Sequence, residues 1–440
     1  MKFAKLSLAA IMAMGIAANA ADVKVDGDVK LFYGTDDADY ANAMHGNAGG
    51  DLFGQSNSYG DAAVRVGLTA EDLPGGLTGR ISTTYLTTMG LEGRLVSNVW
   101  AGGPSLDGIW FDEMYLKGTV LDKTTVIVGR QKLDTPMVFS ENWNIVTNTY
   151  DAAVAVDQHI EKTALVAAWV WRSNVNGALT VSNGDGSFND GFTTYPGVGA
   201  VGANGLQNGA YAFGVVTSLI PMTTAQAWYY SVDSVADAYW LQADVTPEFG
   251  SDFKLELGVQ FAGTMVADSV YALSGTTANQ QDDATVWAVK VGGEFNGFKL
   301  SGAYSSSDVG NLGFCNVGGD QSKLYTEAWW NYGYVSMPDT DAYNITAEYS
   351  WADVADFGAY YTHTEFNGND GDPFLNVGLM PQGIAKDDKM DEFALVASKT
   401  FGAFDTSVAY VYTDADNQNV DANGNSDSYN TLQVYVTYNF

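Results

Sequence analysis

The sequence predicts an all-β fold, a transmembrane antiparallel β-barrel, and three observations carry that expectation. First, the final segment alternates: Leu432, Val434, Val436, Tyr438 and Phe440 are apolar, while Gln433, Thr437 and Asn439 are polar and Tyr435 is mixed. Successive side chains of a strand point to opposite faces, so this period marks a strand between an apolar and a polar medium. Second, long Asp/Asn/Gly-rich stretches at 173–209, 306–341 and 366–389 alternate with turns as brief as Asn296-Gly297 and Gly402-Ala403. Long loops on one side and short turns on the other is the asymmetry of a barrel in a bacterial outer membrane. Third, residues 1–20 hold Lys2 and Lys5, an apolar run from Leu6 to Ala18 and the pattern Ala18-Asn19-Ala20, a secretory signal cleaved before Ala21.

Taken in order, strands are expected at 23–34, 60–70, 77–88, 109–119, 124–132, 150–156, 163–172, 210–219 and 225–232. They continue at 238–245, 253–263, 284–295, 298–305, 342–351, 357–365, 390–401, 404–413 and 429–440, eighteen in all. The first sets Val23, Val25, Val29 and Leu31 against Lys24, Asp26, Asp28 and Lys30. In 253–262, Phe253, Leu255, Leu257, Val259 and Phe261 oppose Lys254, Glu256, Gly258, Gln260 and Ala262. A slip of one residue would turn Lys254 toward lipid at a cost of about 2–4 kcal/mol near the midplane, so the pattern sets its own register. The strand at 150–156 follows partly from parity, because both termini must end on the periplasmic side. The connection at 233–237 is short for an outer loop, which leaves sixteen strands as the alternative.

Composition fits one architecture over 21–440 rather than several soluble domains: 49 Gly, 25 Tyr, 21 Phe, 11 Trp and only 9 Pro are spread without a boundary. The formal net charge of −32 excludes nucleic acid as a partner and favours cations. Cys315 is alone, so no intramolecular disulfide forms. His45, His159 and His363 have no Ser or Cys nucleophile at a motif spacing, and no enzymatic activity is expected.

Strand parity turns Arg65, Arg80, Glu113, Lys117, Arg172, Lys254, Glu256, Lys290 and Glu348 inward. That many charges require a wet lumen, and eighteen strands enclose a bore rather than a packed core. In the fifth strand Val126 and Val128 share the parity of Arg130 while Ile127 and Gly129 oppose it, so its direction is open.

Three segments carry a resemblance to a known family: Met1-Lys2-Phe3-Ala4-Lys5-Leu6-Ser7-Leu8, Gly129-Arg130-Gln131-Lys132-Leu133-Asp134-Thr135-Pro136, and Tyr438-Asn439-Phe440. The chain resembles the major outer-membrane porins of the campylobacter and helicobacter branch, also called Opr-family porins. The resemblance implies a homotrimer of 18-stranded barrels embedded in outer-membrane lipid and lipopolysaccharide. It also implies a third loop folded into the pore, and passive, cation-preferring diffusion of small hydrophilic solutes. Here that loop is 133–149, with Asp134 and Glu141 facing Arg65, Arg80 and Arg130 across the narrowing. Asp36, Asp37, Asp39, Asp185, Asp190, Asp370 and Asp372 would make an acidic mouth. Asp421, Asn423, Asn425 and Asp427 have the oxygen spacing of half a calcium loop but lack its sixth-position Gly and twelfth-position Glu, so a plain polar loop is the better reading and no cofactor is expected. A substrate-specific channel, and a surface adhesin or structural barrel using 306–341, are the alternatives.

Overall fold

The computed structural model of the chain describes residues 22–39, 50–91, 94–96, 107–143, 145–174, 192–194, 209–232, 236–250, 253–267, 283–310, 312–317, 319, 321–368 and 384–440. The signal segment, His45, Asp185, Asp190, Asp370 and Asp372 lie outside them. Among the described residues eighteen antiparallel strands close into a barrel. They run Asp22–Asp36, Ser58–Leu73, Leu77–Thr87, Asp107–Val120, Thr124–Gln131, Tyr150–Asp157, Thr163–Asn174, Ala210–Thr217 and Thr223–Val232. The second half is Ala236–Val245, Phe253–Val266, Asp283–Phe295, Phe298–Ser307, Thr340–Trp351, Ala355–Phe366, Lys389–Phe401, Phe404–Ala415 and Tyr429–Asn439. The strand inferred from parity is present at Tyr150–Asp157, which sets the sixteen-stranded alternative aside. Two short pieces, Phe192–Thr194 and Glu248–Phe249, pair onto the ends of longer strands.

Each long strand pairs with its sequence neighbours, and the ring closes where Asp28 to Asp36 pair with Asn439 to Thr431. Gly27 and Phe440 complete the seam with reciprocal backbone hydrogen bonds of 2.9 and 3.0 Å. The Phe440 ring occupies the space a Cβ at position 27 would need, so this residue has to be glycine. At the short-turn end, Asn296 and Gly297 both take positive φ, 50° and 78°. That is the two-residue hairpin turn whose twist matches the flanking strands.

The two faces separate as alternation requires. Val259 and Phe261 are exposed on the outer surface, while Gln260 between them is buried inside. Bulges shift this parity in two places. Ser82 pairs with Glu113 and Thr83 with Phe111, so Asp112 is the extra residue and both Asp112 and Glu113 turn inward. Asp151 pairs with Arg172 and Ala152 with Val170, so Trp171 is extra and the face of Arg172 is reversed relative to simple alternation.

One expectation about the lumen is corrected. Part of it is packed rather than wet: Met137, Val138, Phe314, Leu324, Tyr334 and Val335 from two loops form a cluster with wall residues such as Ala152, Ala210, Ala262, Ala284 and Trp240. Small alanines on the inner wall leave room for these loop side chains, and their burial removes apolar surface from water.

Candidate functional site

Four adjacent strands at the start of the chain hold a charged network on their inner face. Arg80 donates to both carboxylate oxygens of Asp26, at 2.8 and 3.0 Å, and through Nε to Glu113 at 2.9 Å. Arg65 donates to Asp28 at 2.6 Å and lies 3.9 Å from Glu113. Lys117 lies four residues beyond Glu113 on the same inward parity, and its side chain is exposed. A second network crosses later strands: Glu256 lies 3.6 Å from Lys290 and 3.5 Å from Lys299, and Lys299 lies 3.8 Å from Glu348. Lys254 lies 3.9 Å from Glu294. Alternating signs along neighbouring strands offset the loss of hydration at the buried members, Asp28 and Glu113, while Lys254 and Lys299 in the second network stay exposed.

The third loop, 132–149, folds into the barrel and reaches separate parts of its wall. Met137 and Val138 join the packed cluster described above, whereas Ile145 and Val146 pack with Phe32, Tyr59, Leu86 and Trp110. Trp143 reaches a third patch, with Trp330, Tyr332, Ala394 and Val411. The long loop at 308–339, read from sequence as an outer loop, also folds inward and meets it. Asn316 Nδ2 donates to Phe139 O at 2.8 Å and to Glu141 Oε1 at 2.9 Å, and Val317 N donates to Met137 O at 3.0 Å. The long loop is fastened to the wall by Glu392, whose carboxylate accepts from the backbone N–H groups of Trp329, Trp330 and Asn331 and from Asn331 Nδ2, at 2.6 to 3.1 Å. Gln260 donates to Lys323 O and Tyr325 OH to Asp244.

The structure separates the residues expected at the narrowing. Glu141 is only 1% exposed, and its oxygens accept from Asn316 Nδ2, Gln321 N and Trp143 Nε1. Its position is that of a clasp between loops. Asp134 has an exposed side chain, paired with Lys323 at 3.1 Å. Arg65 and Arg80 lie together in the first network. Arg130 does not join them: it pairs with Asp151 at 2.8 Å, and Asp151 in turn accepts from Arg172 at 2.6 Å. Arg130 stands opposite Met114, and the next outward pair is Val128 with Leu116, all three apolar side chains being exposed on the outer surface. Directly opposed residues share a face. The register therefore corrects two expectations: Arg130 and Arg172 lie on the outward face, Arg172 because of the bulge at Trp171.

Asp421 accepts from the backbone N–H groups of Asn423 and Asn425, both at 2.8 Å, and from their side-chain amides. The Asn425 backbone bond leads the effects that hold its carboxyl down at about 2. Asp427 N donates to Asn419 O. The segment closes on itself as a polar turn, with amide nitrogens rather than oxygens aimed at Asp421.

Between the loops and the wall lies a cavity of 480 Å³, bounded by Trp143, Gln321, Lys323, Tyr325, Trp329 and, on the wall, Asn344, Thr346 and Tyr360. Glu327 also borders it. Burial, the largest effect, pushes its carboxyl well above the ordinary carboxylate range against a lowering bond from Ser322. Sequence reasoning missed Glu327 and Asn316, because a long polar-looking loop carries no periodicity to say which way it folds, and Glu392, on the strand Lys389–Phe401, because its partners lie in that loop. Its run of Tyr325, Trp329, Trp330, Tyr332 and Tyr334 was the available signal.

The fold is similar to solved outer-membrane structures. OpdK of Pseudomonas aeruginosa is 9% identical with a TM-score of 0.69, over 95% of this chain and 98% of that one. OccAB3 of Acinetobacter baumannii is 13% identical with a TM-score of 0.68, over 95% and 99%. OpdK with vanillate is 10% identical with a TM-score of 0.68, over 95% and 98%. At these identities the likeness is one of fold, and it leaves the campylobacter and helicobacter branch resting on the three sequence segments. No family model and no curated protein matches the sequence.

Proposed function

We propose that the chain, exported by a signal at 1–20, forms a channel through the outer membrane of a Gram-negative bacterium, passing small hydrophilic solutes and preferring cations. One observation carries this reading. A closed barrel exposes Val259, Phe261, Val289 and Val291 outside while holding Arg65, Arg80, Asp26, Asp28 and Glu113 on its inner wall. An apolar exterior suits lipid, and a charged interior needs water. The sequence's formal net charge of −32 supports cation preference through the field it sets over the mouth. The reading assigns no reaction to the protein.

A homotrimer belongs to the same proposal. Thr124–Gln131 and Tyr150–Asp157 are 8 residues each. Tilted strands advance roughly 2.3 Å per residue along the axis, so 8 residues rise about 18 Å against an apolar band of about 25 Å. A neighbouring barrel at this low wall would cover what the strands leave uncovered.

A substrate-specific channel is the second reading, favoured by the two interlocked loops and the aromatic cavity they border. The adhesin alternative loses its support, because the described part of 306–341 is fastened inside the barrel rather than displayed outside it. Swelling of liposomes that hold the purified protein tests the main reading. Swelling rates that fall smoothly with solute size support it, and liposomes no more permeable than protein-free ones contradict it.

A further inference from the structure

We infer that the cavity between the two inward loops and the strands Thr340–Trp351 and Ala355–Phe366 binds a neutral, ring-shaped polyhydroxylated solute, a mono- or disaccharide, so that such solutes cross by saturable binding. The inference rests on the channel reading and names a solute class for the same bore.

Size and lining agree. At 480 Å³ the cavity falls within the range of small-molecule sites, about 300–1,000 Å³. Trp143, Trp329 and Tyr360 are half-buried, packed against the cluster around Trp330 while also bordering the cavity. Flat rings held in this way suit the C–H face of a sugar ring, which offers a large apolar contact at little cost in side-chain freedom. The other lining groups are mostly neutral hydrogen-bonding side chains: Ser140, Asn142, Gln321, Asn344 and Thr346. Amides and hydroxyls both donate and accept, as a ring of hydroxyl groups requires.

Charge narrows the class further. Lys323, the cation of the lining, is paired with Asp134 at 3.1 Å and lies 4.4 Å above the Phe139 ring. Glu327 accepts from Ser322 at 2.5 Å, and Tyr360 OH donates to Glu348 at 3.0 Å. An anionic solute would have to displace Asp134 from Lys323 to find a cation here. Tyr325 OH is likewise held by Asp244, at 2.6 Å. The Tyr325 and Tyr360 hydroxyls are thus committed to the protein, which fixes these two rings and leaves their faces as the binding surface.

The test uses the folded full-length barrel in detergent, titrated with maltose while tryptophan fluorescence is read, with vanillate and choline as charged comparators. Maltose should give a saturable change. Trp329→Ala should raise its half-saturating concentration by about tenfold, the scale of losing one aromatic stacking partner. Tyr360→Ala, on a wall strand, should do the same and leaves both loops intact if the first variant fails to fold. A response to maltose that does not saturate, unchanged half-saturation in both variants, or tighter binding of vanillate or choline overturns the inference. Conductance in potassium chloride without sugar is recorded alongside. A conducting barrel that ignores maltose overturns this inference alone, and a barrel that never conducts overturns the channel reading with it.

Discussion

Asn316 Nδ2 donates to Glu141 Oε1 at 2.9 Å, joining two loops whose residues stand 175 positions apart in the chain. Gly319 lies against the same carboxylate, where a Cβ would collide with it. The bore is therefore narrowed by a clasp of two loops that pack together against shared wall residues, rather than by one loop alone.

Glu141→Gln should loosen this clasp. The new amide nitrogen would face N–H donors, leaving a buried donor unpaired at a cost of about 1–3 kcal/mol. Gly319→Ala should act in the same direction by displacing the carboxylate. Hydrogen exchange should quicken in 133–143 and 312–317 while the strands stay protected. Asp134→Asn, at an exposed charge, should instead leave exchange unchanged and lower cation preference.

Glu392→Ala should release the long loop from the wall. One carboxylate accepts from four N–H groups of Trp329, Trp330 and Asn331, and removing it strands those donors in a buried setting, a loss of roughly 3 kcal/mol or more. Protease cleavage within 321–339 should appear in the variant and not in the parent protein. Equal resistance in both would mean that the carboxylate does not hold the loop.

The docking of this loop should weaken as pH rises. Burial raises the Glu327 carboxyl well above its ordinary value of 4.5, with Glu141 and Glu392 adding to the shift and Ser322 opposing it. A raised folded value means that the docked state holds the proton more tightly, so the contribution is present below pH 4.5 and is lost as pH climbs through the folded value. Exchange in 321–334, corrected for intrinsic rate, should be slower at pH 5 than at pH 8. Glu327→Gln, always neutral, should shrink the difference, and what remains belongs to Glu392, the buried carboxylate that holds the same loop.

Native mass spectrometry in mild detergent should find three chains together. Substituting Arg130 with Glu should weaken the assembly, because its like charge beside Asp151 would sit on the outward face of the low wall. Monomer alone in the parent protein would contradict the trimer.

Alternation made the barrel legible in the sequence: Val259, Gln260 and Phe261 read from the residues as they stand in the structure. What alternation cannot carry is a bulge. Asp112 and Trp171 each add one residue to a strand, and the second reverses Arg172, which a simple count places in the lumen. Arg130 had conflicting neighbours in sequence, and only its pairing opposite Met114 resolves them. The long loop was harder still, because Glu392 and Asn331 meet through a fold of the chain that no local pattern encodes. Charges on the wall were readable, and the loop clasp was not.

Single-channel recording in a planar bilayer under a salt gradient tests the central claim most directly. A water-filled barrel with a charged wall and an acidic chain should open in discrete steps, with a reversal potential of the sign that marks cations as more permeant. That potential should shrink as salt rises and the Debye length falls below about 8 Å. Arg80→Ala, which takes from Asp26 and Glu113 the nearer of the two arginines they share, should move it further toward cations. A reversal potential marking anions, or no stepwise conductance at all, would contradict the account.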